Sequence, residues 1–326
     1  MSSRKVLAIC GGVGGAKLAL GLYRILAPND LLLCVNTGDD FEHLGLHVSP
    51  DLDTVMYTLA DLNNAETGWG RRGESWTFMG ALEALGGETW FRLGDGDLAT
   101  HVERTRRLHN GETLTAVTAD FARRLGIEAE LLPMSDDPAR TMVETAEGIM
   151  PFQRYFVARR CEPPVRRILF EGAERAVPHP RIMAALRSFD LGLVVICPSN
   201  PYLSVDPMLA LPGLRQALAE CAAPVVTVSP LIGGQAVKGP TAKIMAELGM
   251  PQTQASIVRH YDGLIDGIMI DGADDAEAAS LPVATRTTRI LMNSLDDRER
   301  LAREVLEFGA RLDRRARPVM EARSAP

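Results

Sequence analysis

The chain has 326 residues, 46% of them hydrophobic, and a formal net charge of −7. That suits one large domain or two fused ones with a sizeable core. Acidic and basic residues are mixed along it, without the basic stripe that nucleic-acid binding requires. Five scattered cysteines (Cys10, Cys34, Cys161, Cys197 and Cys221) form no Cys-x-x-Cys pair. This argues against a zinc site or redox pair and for buried free thiols in a reducing compartment. No window approaches the roughly 18 apolar residues of a membrane span. No charged-then-apolar leader precedes the first strand-like run, so a cytoplasmic location is expected.

Residues 6–10 are a short apolar run that meets the glycine cluster Gly11, Gly12, Gly14 and Gly15. Lys17 follows, and the pattern predicts a helix over residues 16–26. A second apolar run, residues 31–35, ends in Asn36-Thr37-Gly38-Asp39-Asp40. Strand, glycine turn, helix and strand make the opening βαβ of a doubly wound sheet. Ser49-Pro50-Asp51-Leu52-Asp53-Thr54 reads as a helix start, with Ser49 as N-cap, Pro50 at the first helical position and carboxylates in the first turn. Residues 68–73 read as a mobile loop, and Trp69 and Trp76, which border it, either stack on a flat ligand ring or anchor the loop.

Residues 74–187 read as a mostly helical insertion or cap. Within it, Ser135-Asp136-Asp137-Pro138 either caps a helix from Arg140 onward or belongs to a site. Residues 191–197 and 224–228 are apolar runs of buried-strand length, ending in Pro198-Ser199-Asn200-Pro201 and in Ser229-Pro230-Leu231-Ile232-Gly233-Gly234. A helix over 242–248, strands over 265–270 and 290–292, and a last helix over 301–312 complete the expectation. The whole is a single Rossmann-like α/β domain, residues 1–326, with a doubly wound, mostly parallel sheet and a largely helical insertion.

The loop Gly11-Gly12-Val13-Gly14-Gly15-Ala16-Lys17 lets backbone approach a phosphate at a helix N-terminus, where free N–H groups and a positive dipole end lie. It lacks the Gly-Lys-Ser/Thr ending of a P-loop and carries Lys17 where a dinucleotide fingerprint has its third glycine. A tight turn without a ligand is the plainer alternative. Asp39, Asp40, Asp51 and Asp53 together can hold a divalent cation such as Mg2+. Helix capping accounts for Asp51 and Asp53 but not for the other two. Arg92, on Leu93-Gly94-Asp95-Gly96-Asp97, can hold an anionic or carbonyl edge, and His101 is either a general base or a structural histidine. The strand-end loops with Ser199, Asn200, Gly233, Gly234, Lys238 and Lys243 stand where open α/β sheets bind nucleotides.

In their order these motifs resemble those of the 2-phospho-L-lactate transferases of coenzyme F420 biosynthesis (the LPPG:Fo transferases), over about residues 6–312. The resemblance implies a guanosine diphosphate-activated three-carbon acid as donor: 2-phospholactate, phosphoenolpyruvate or phosphoglycerate. It implies as acceptor the ribityl hydroxyl of the deazaflavin Fo, with GMP released and F420-0 or dehydro-F420-0 formed. Mg2+ is the implied cofactor and a homodimer the implied assembly, with no nucleic-acid or membrane partner. Asp53 and Arg92 are then the Fo contacts, and Asp39, Asp40 and Asp51 the metal or acceptor-orienting groups. Gly12, Gly14, Gly15, Lys17, Ser199, Asn200, Gly233, Gly234 and Lys238 fall to the nucleotide and its phosphates. Asp51 or Asp53 takes the hydroxyl proton if it lies within hydrogen-bond reach.

The competing reading is a nucleotide-sugar-binding regulator of the gluconeogenesis-factor family. That family typically carries Asp-Asp-Gly-Gly-Ser-Ser after its second strand, where this chain has Asp39-Asp40-Phe41-Glu42. A dinucleotide-dependent dehydrogenase is disfavoured by Lys17 and by the absence of a single acid ending the second strand.

Overall fold

The computed structural model describes residues 4–64, 66, 68–236 and 239–312. Seven strands form one sheet: β1 (Lys5–Cys10), β2 (Leu31–Val35), β3 (Glu130–Pro133), β4 (Leu191–Ile196), β5 (Val225–Val228), β6 (Gly267–Ile270) and β7 (Ala284–Thr287). Their spatial order is β3-β2-β1-β4-β5-β6-β7, and every pairing is parallel. The order reverses between β1 and β4, which pair in the register Ala8 to Val195.

Both faces of the sheet are covered, which is why strands such as Leu31–Val35 are apolar throughout. Alternate residues point to separate cores. Leu7, Ile9, Leu32, Cys34, Val194 and Ile196 belong to one, and Val6, Ala8, Leu33, Val35, Leu193 and Val195 to the other. The second core is closed by α1 (Gly12–Ile25), α2 (Pro50–Leu59) and the last helix, Leu295–Ala310, which begins at a Ser294/Asp297 capping box. The first core is closed by Leu214–Glu220, Thr241–Glu247, Gln254–His260 and a small antiparallel sheet.

The segment 74–187 departs from the expected helical cap. It is helical in its first part: Thr77–Ala84, then α3 (Asp95–His109) and α4 (Leu114–Arg124). Helix α3 carries Asp95 and Asp97 in its first turn and Arg106, Arg107 and His109 in its last, which suits its dipole. The next element, β3, is an edge strand of the central sheet, short and ended by Pro133. Arg140–Thr145, expected as a helix, is a strand paired antiparallel to Gly148–Pro151 and Arg167–Glu171. It buries Thr141, Val143 and Thr145, a period of two that favours sheet over helix. Ser135 caps no helix; its hydroxyl donates to the Val177 carbonyl. Residues 290–292, expected as a strand, leave the sheet after β7 and line a cleft instead.

No helix among the described residues is long and apolar enough to cross a membrane. All five cysteines are free and buried. Burial pushes the Cys34 thiol up to about 12 and raises those of Cys10, Cys161 and Cys197. Such thiols stay protonated and shielded at pH 8. Ellman's reagent is therefore expected to find no fast-reacting thiol in the native protein at that pH and all five once it is unfolded in denaturant. A rapidly titrating native cysteine would contradict this packing.

Candidate active site

A cleft of about 520 Å3 opens at the carboxyl ends of β1, β4 and β5, where the strand order reverses and open α/β sheets bind their ligands. The turn from β1 into α1 forms part of it. Gly11 is the helix N-cap, and Gly12 takes φ +64°, which a side chain would resist. A Cβ on Gly14 would lie 2.3 Å from the Pro198 carbonyl oxygen, so the glycine lets α1 close against the loop after β4. Ser199 locks the same junction: its hydroxyl accepts from the Gly11 N–H at 3.1 Å and donates to the Gly11 carbonyl at 3.0 Å.

Two acids stand in the cleft. Asp51, in the first turn of α2, accepts from the Gly12 N–H at 2.8 Å through Oδ1 and from Asn36 Nδ2 at 3.0 Å through Oδ2. Burial pushes its carboxyl up to about 6, against the opposing pull of those two hydrogen bonds. The Asp39 carboxyl is raised as well, by burial first and by the nearby Asp51 charge second. Its Oδ1 is buried and has no hydrogen-bond partner among the described residues. Asn36 is wholly buried; it also donates to the Leu203 carbonyl at 3.2 Å and accepts from the Gly38 N–H at 2.8 Å.

The other expected residues divide. Gly12, Gly14, Lys17, Asp39, Asp51 and Arg92 line the cleft, as do Ser199 and Asn200. Lys17 donates from Nζ to the Met292 carbonyl at 2.8 Å. Asn200 uses Oδ1 to accept from the N–H groups of Tyr202 and Leu203. The Arg92 guanidinium lies 4.2 Å from the ring centre of Trp76, which in turn meets Trp69 edge-on. Gly15 is outside the lining and serves close packing of α1 on Ser199 and Cys10. Gly233 and Gly234, at φ +58° and +70°, make the tight turn between two short strands and are not brought to the cleft. Lys238 lies outside the described residues.

Asp40 and Asp53 are also held elsewhere. Asp40 Oδ2 accepts from the Ser49 hydroxyl at 2.8 Å and sits 3.1 Å from His47 Nε2, while its Oδ1 is buried without a hydrogen-bond partner among the described residues. Ser49 therefore spends its hydroxyl on Asp40, and α2 has no side-chain cap. Asp53 is gripped by both terminal nitrogens of Arg104 from α3, the NH1 bond measuring 3.0 Å, and lies outside the cleft lining. Residues two apart on a helix point about 200° apart around its axis. Asp51 and Asp53 hence serve opposite sides of α2. Among the described residues, the compact set of potential metal ligands is Asp53, Asp97 and His101, not Asp39, Asp40 and Asp51. The Arg104 guanidinium already supplies the positive charge there, and Tyr57 donates to Asp97 at 2.8 Å.

Three features went unmarked in the sequence reading. Arg104 sits in an ordinary charged helical pattern. Asn36 was seen as part of a motif but not as the residue that holds the acids. The aromatic lining is the third: Trp90 and Phe91, packed with Phe41 and His43 of the Phe41–His43/Leu46–Val48 hairpin, and Phe152 stacked on Phe156 at 5.4 Å. The run Trp90-Phe91-Arg92 beside a glycine turn was the available signal.

Comparison with known proteins places the chain among relatives. Residues 6–307 match the family described as 2-phospho-L-lactate transferase CofD. A phosphoenolpyruvate transferase of Streptomyces griseus is 40% identical over 93% of this chain and 98% of its own. A 2-phospho-L-lactate transferase of Methanopyrus kandleri is 40% identical over 93% of this chain and 97% of its own. That of Methanosarcina mazei is 37% identical over 83% and 88%. Among solved structures, a UPF0052 family protein of Bacillus halodurans superimposes with a TM-score of 0.62 at 16% identity, covering 94% of this chain and 99% of its own, a likeness of fold. With its parallel sheet, its cleft at the strand reversal and these relatives, the chain belongs to the 2-phospho-L-lactate transferase CofD family, enzymes of coenzyme F420 biosynthesis.

Proposed function

We propose that this enzyme transfers a phospho-acid group from a guanosine diphosphate-activated donor to the ribityl hydroxyl of Fo, releasing GMP. The observation that carries the reading is one cleft that combines the N-terminus of α1, two buried acids and a set of aromatic rings. Each part answers a demand of the chemistry. Phosphoryl-type transfer needs placement and charge neutralisation more than a covalent nucleophile. The first-turn amides of α1 and the Lys17 ammonium suit the diphosphate. Trp69, Trp90, Phe91, Phe152 and Phe156 offer faces and edges to a flat deazaflavin.

In the step itself, the ribityl oxygen forms a bond to the phosphorus of the phospho-acid. The bond from that phosphorus to the bridging oxygen breaks, its electron pair leaves with GMP, and the hydroxyl proton passes to Asp51. A carboxyl raised to about 6 is still ionised at neutral pH, yet holds a proton better than an ordinary aspartate. Mg2+ fits the same place because Asp39 presents a buried carboxylate oxygen without a hydrogen-bond partner among the described residues, a hard ligand for a hard cation. When bound, Mg2+ supplies charge neutralisation at the diphosphate.

Relatives named for phosphoenolpyruvate and for 2-phospho-L-lactate match at the same 40% identity. The donor acid is therefore settled by offering the guanosine-diphospho acids side by side. With Mg2+ and Fo, GMP release is expected from one or more of them, read by chromatography. Binding of UDP-sugars with Fo left unchanged would favour the regulatory reading instead.

Because a base must be unprotonated to act, kcat should rise with pH through a limb near 6 and level off above it. Asp51→Asn should lower kcat by about 10²–10⁴-fold and abolish that limb. A pH–rate profile with the limb retained in the variant would remove Asp51 from this role. Phe91→Ala and Trp90→Ala should raise KM for Fo about 5–50-fold through lost ring contact, with the donor KM little changed. Steady-state kinetics with each substrate varied in turn checks it.

A further inference from the structure

The Asp51 carboxylate sits where a phosphate oxygen belongs. Gly12 is the first residue of a 14-residue helix, and an N–H in that position is a natural donor to an anionic ligand. Here it donates to Asp51 Oδ1 at 2.8 Å, and both residues line the cleft, so the bond is made inside the ligand's own space. One backbone N–H supports one good hydrogen bond. The second Asp51 oxygen is engaged by Asn36, so the carboxylate is held in orientation by one bond on each oxygen. A further observation points to the same spot. Asp39 lines this cleft at 7% exposure, with an oxygen that has no hydrogen-bond partner among the described residues.

We propose that Asp51 is a gate displaced by the donor: its carboxylate holds the Gly12 amide until the nucleotide diphosphate takes that amide, and the displacement turns it to accept the acceptor's proton. The inference rests on the donor reading above and adds an order to it. Without donor, the Asp51 carboxylate is oriented toward the Gly12 amide and Asn36. With donor, the exchange of one oxyanion for another keeps the amide satisfied, and the freed carboxylate lies beside the reacting phosphorus. The movement is confined to the side chain, because Arg104 grips Asp53 two residues further on and fixes the turn of α2 that carries Asp51.

Two measurements on the full chain test it. In the first, GDP is titrated calorimetrically, in EDTA, into the wild type and Asp51→Ala. Removing the competitor should tighten GDP binding about tenfold or more, the worth of one charge-assisted hydrogen bond. Equal or weaker binding by the variant would overturn the gate. Relief of charge alone also predicts tighter binding, and the variant can fail to fold, so the deciding measurement uses the wild type. A crystal structure with GDP should show the Gly12 nitrogen within hydrogen-bond distance of a phosphate oxygen and Asp51 turned off it. Asp51 Oδ1 still on the Gly12 amide, with GDP in the cleft, would sink the proposal while leaving the donor reading intact. Failure of GDP to bind either protein, with or without Mg2+, would remove the donor reading and the gate together.

Discussion

One buried carboxylate ties the walls of the cleft together. Asp51 lies between the first amide of α1 and the side chain of Asn36 at the end of β2. Taking a charge out of water is expensive, and two hydrogen bonds from neutral donors compensate only in part. The remainder shows as a carboxyl raised to about 6. Asn36 carries the constraint outward, since it also holds the Leu203 carbonyl in the loop after β4 and the Gly38 amide ahead of Asp39. The walls of the cleft thus share one polar junction, and its geometry sets theirs.

Helix α2 shows two treatments of acidic residues within three positions. Asp53 is matched by a guanidinium that it binds with both oxygens, a geometry that fixes orientation as well as charge. Such a pair is weak grounds for claiming net stability, because desolvation offsets much of its Coulomb gain. What it provides is position: α2 is pinned to α3 on one side, while the other side carries an acid held by two neutral hydrogen-bond donors. A settled ion pair behind an unsettled carboxylate is the arrangement expected where a side chain, but not its backbone, has work to do.

Much of the fold was legible because parallel strands buried on both faces are plain apolar runs. Residues 31–35 were read to the residue for that reason. The helix start at Pro50 was legible from its proline and acids, but the partner of the Ser49 hydroxyl was not, because Asp40 is brought to it by tertiary structure. The region after Arg124 misled because β3 is short and ends in a proline, and because the alternation of Arg140–Thr145 is masked by charged residues on its open face. Within the site, Asp51 and Asp53 look equivalent in a motif and differ only once the helix turns them to opposite sides. Gly233-Gly234 could not be told from a phosphate loop, since a tight turn and an anion cradle both call on glycine at positive φ.

The pairing of β1 with β4 has a consequence for how the protein is made. Ala8 and Val195 are neighbours in the sheet but roughly 190 residues apart in the chain, which at about 5–20 residues per second separates them by some ten to forty seconds of synthesis. Through that interval β1, apolar and destined for the middle of the sheet, can lean on β2 alone. The nascent chain therefore leaves the ribosome with one side of its central strand uncovered, and the cleft has no second wall until more than half of the polypeptide exists.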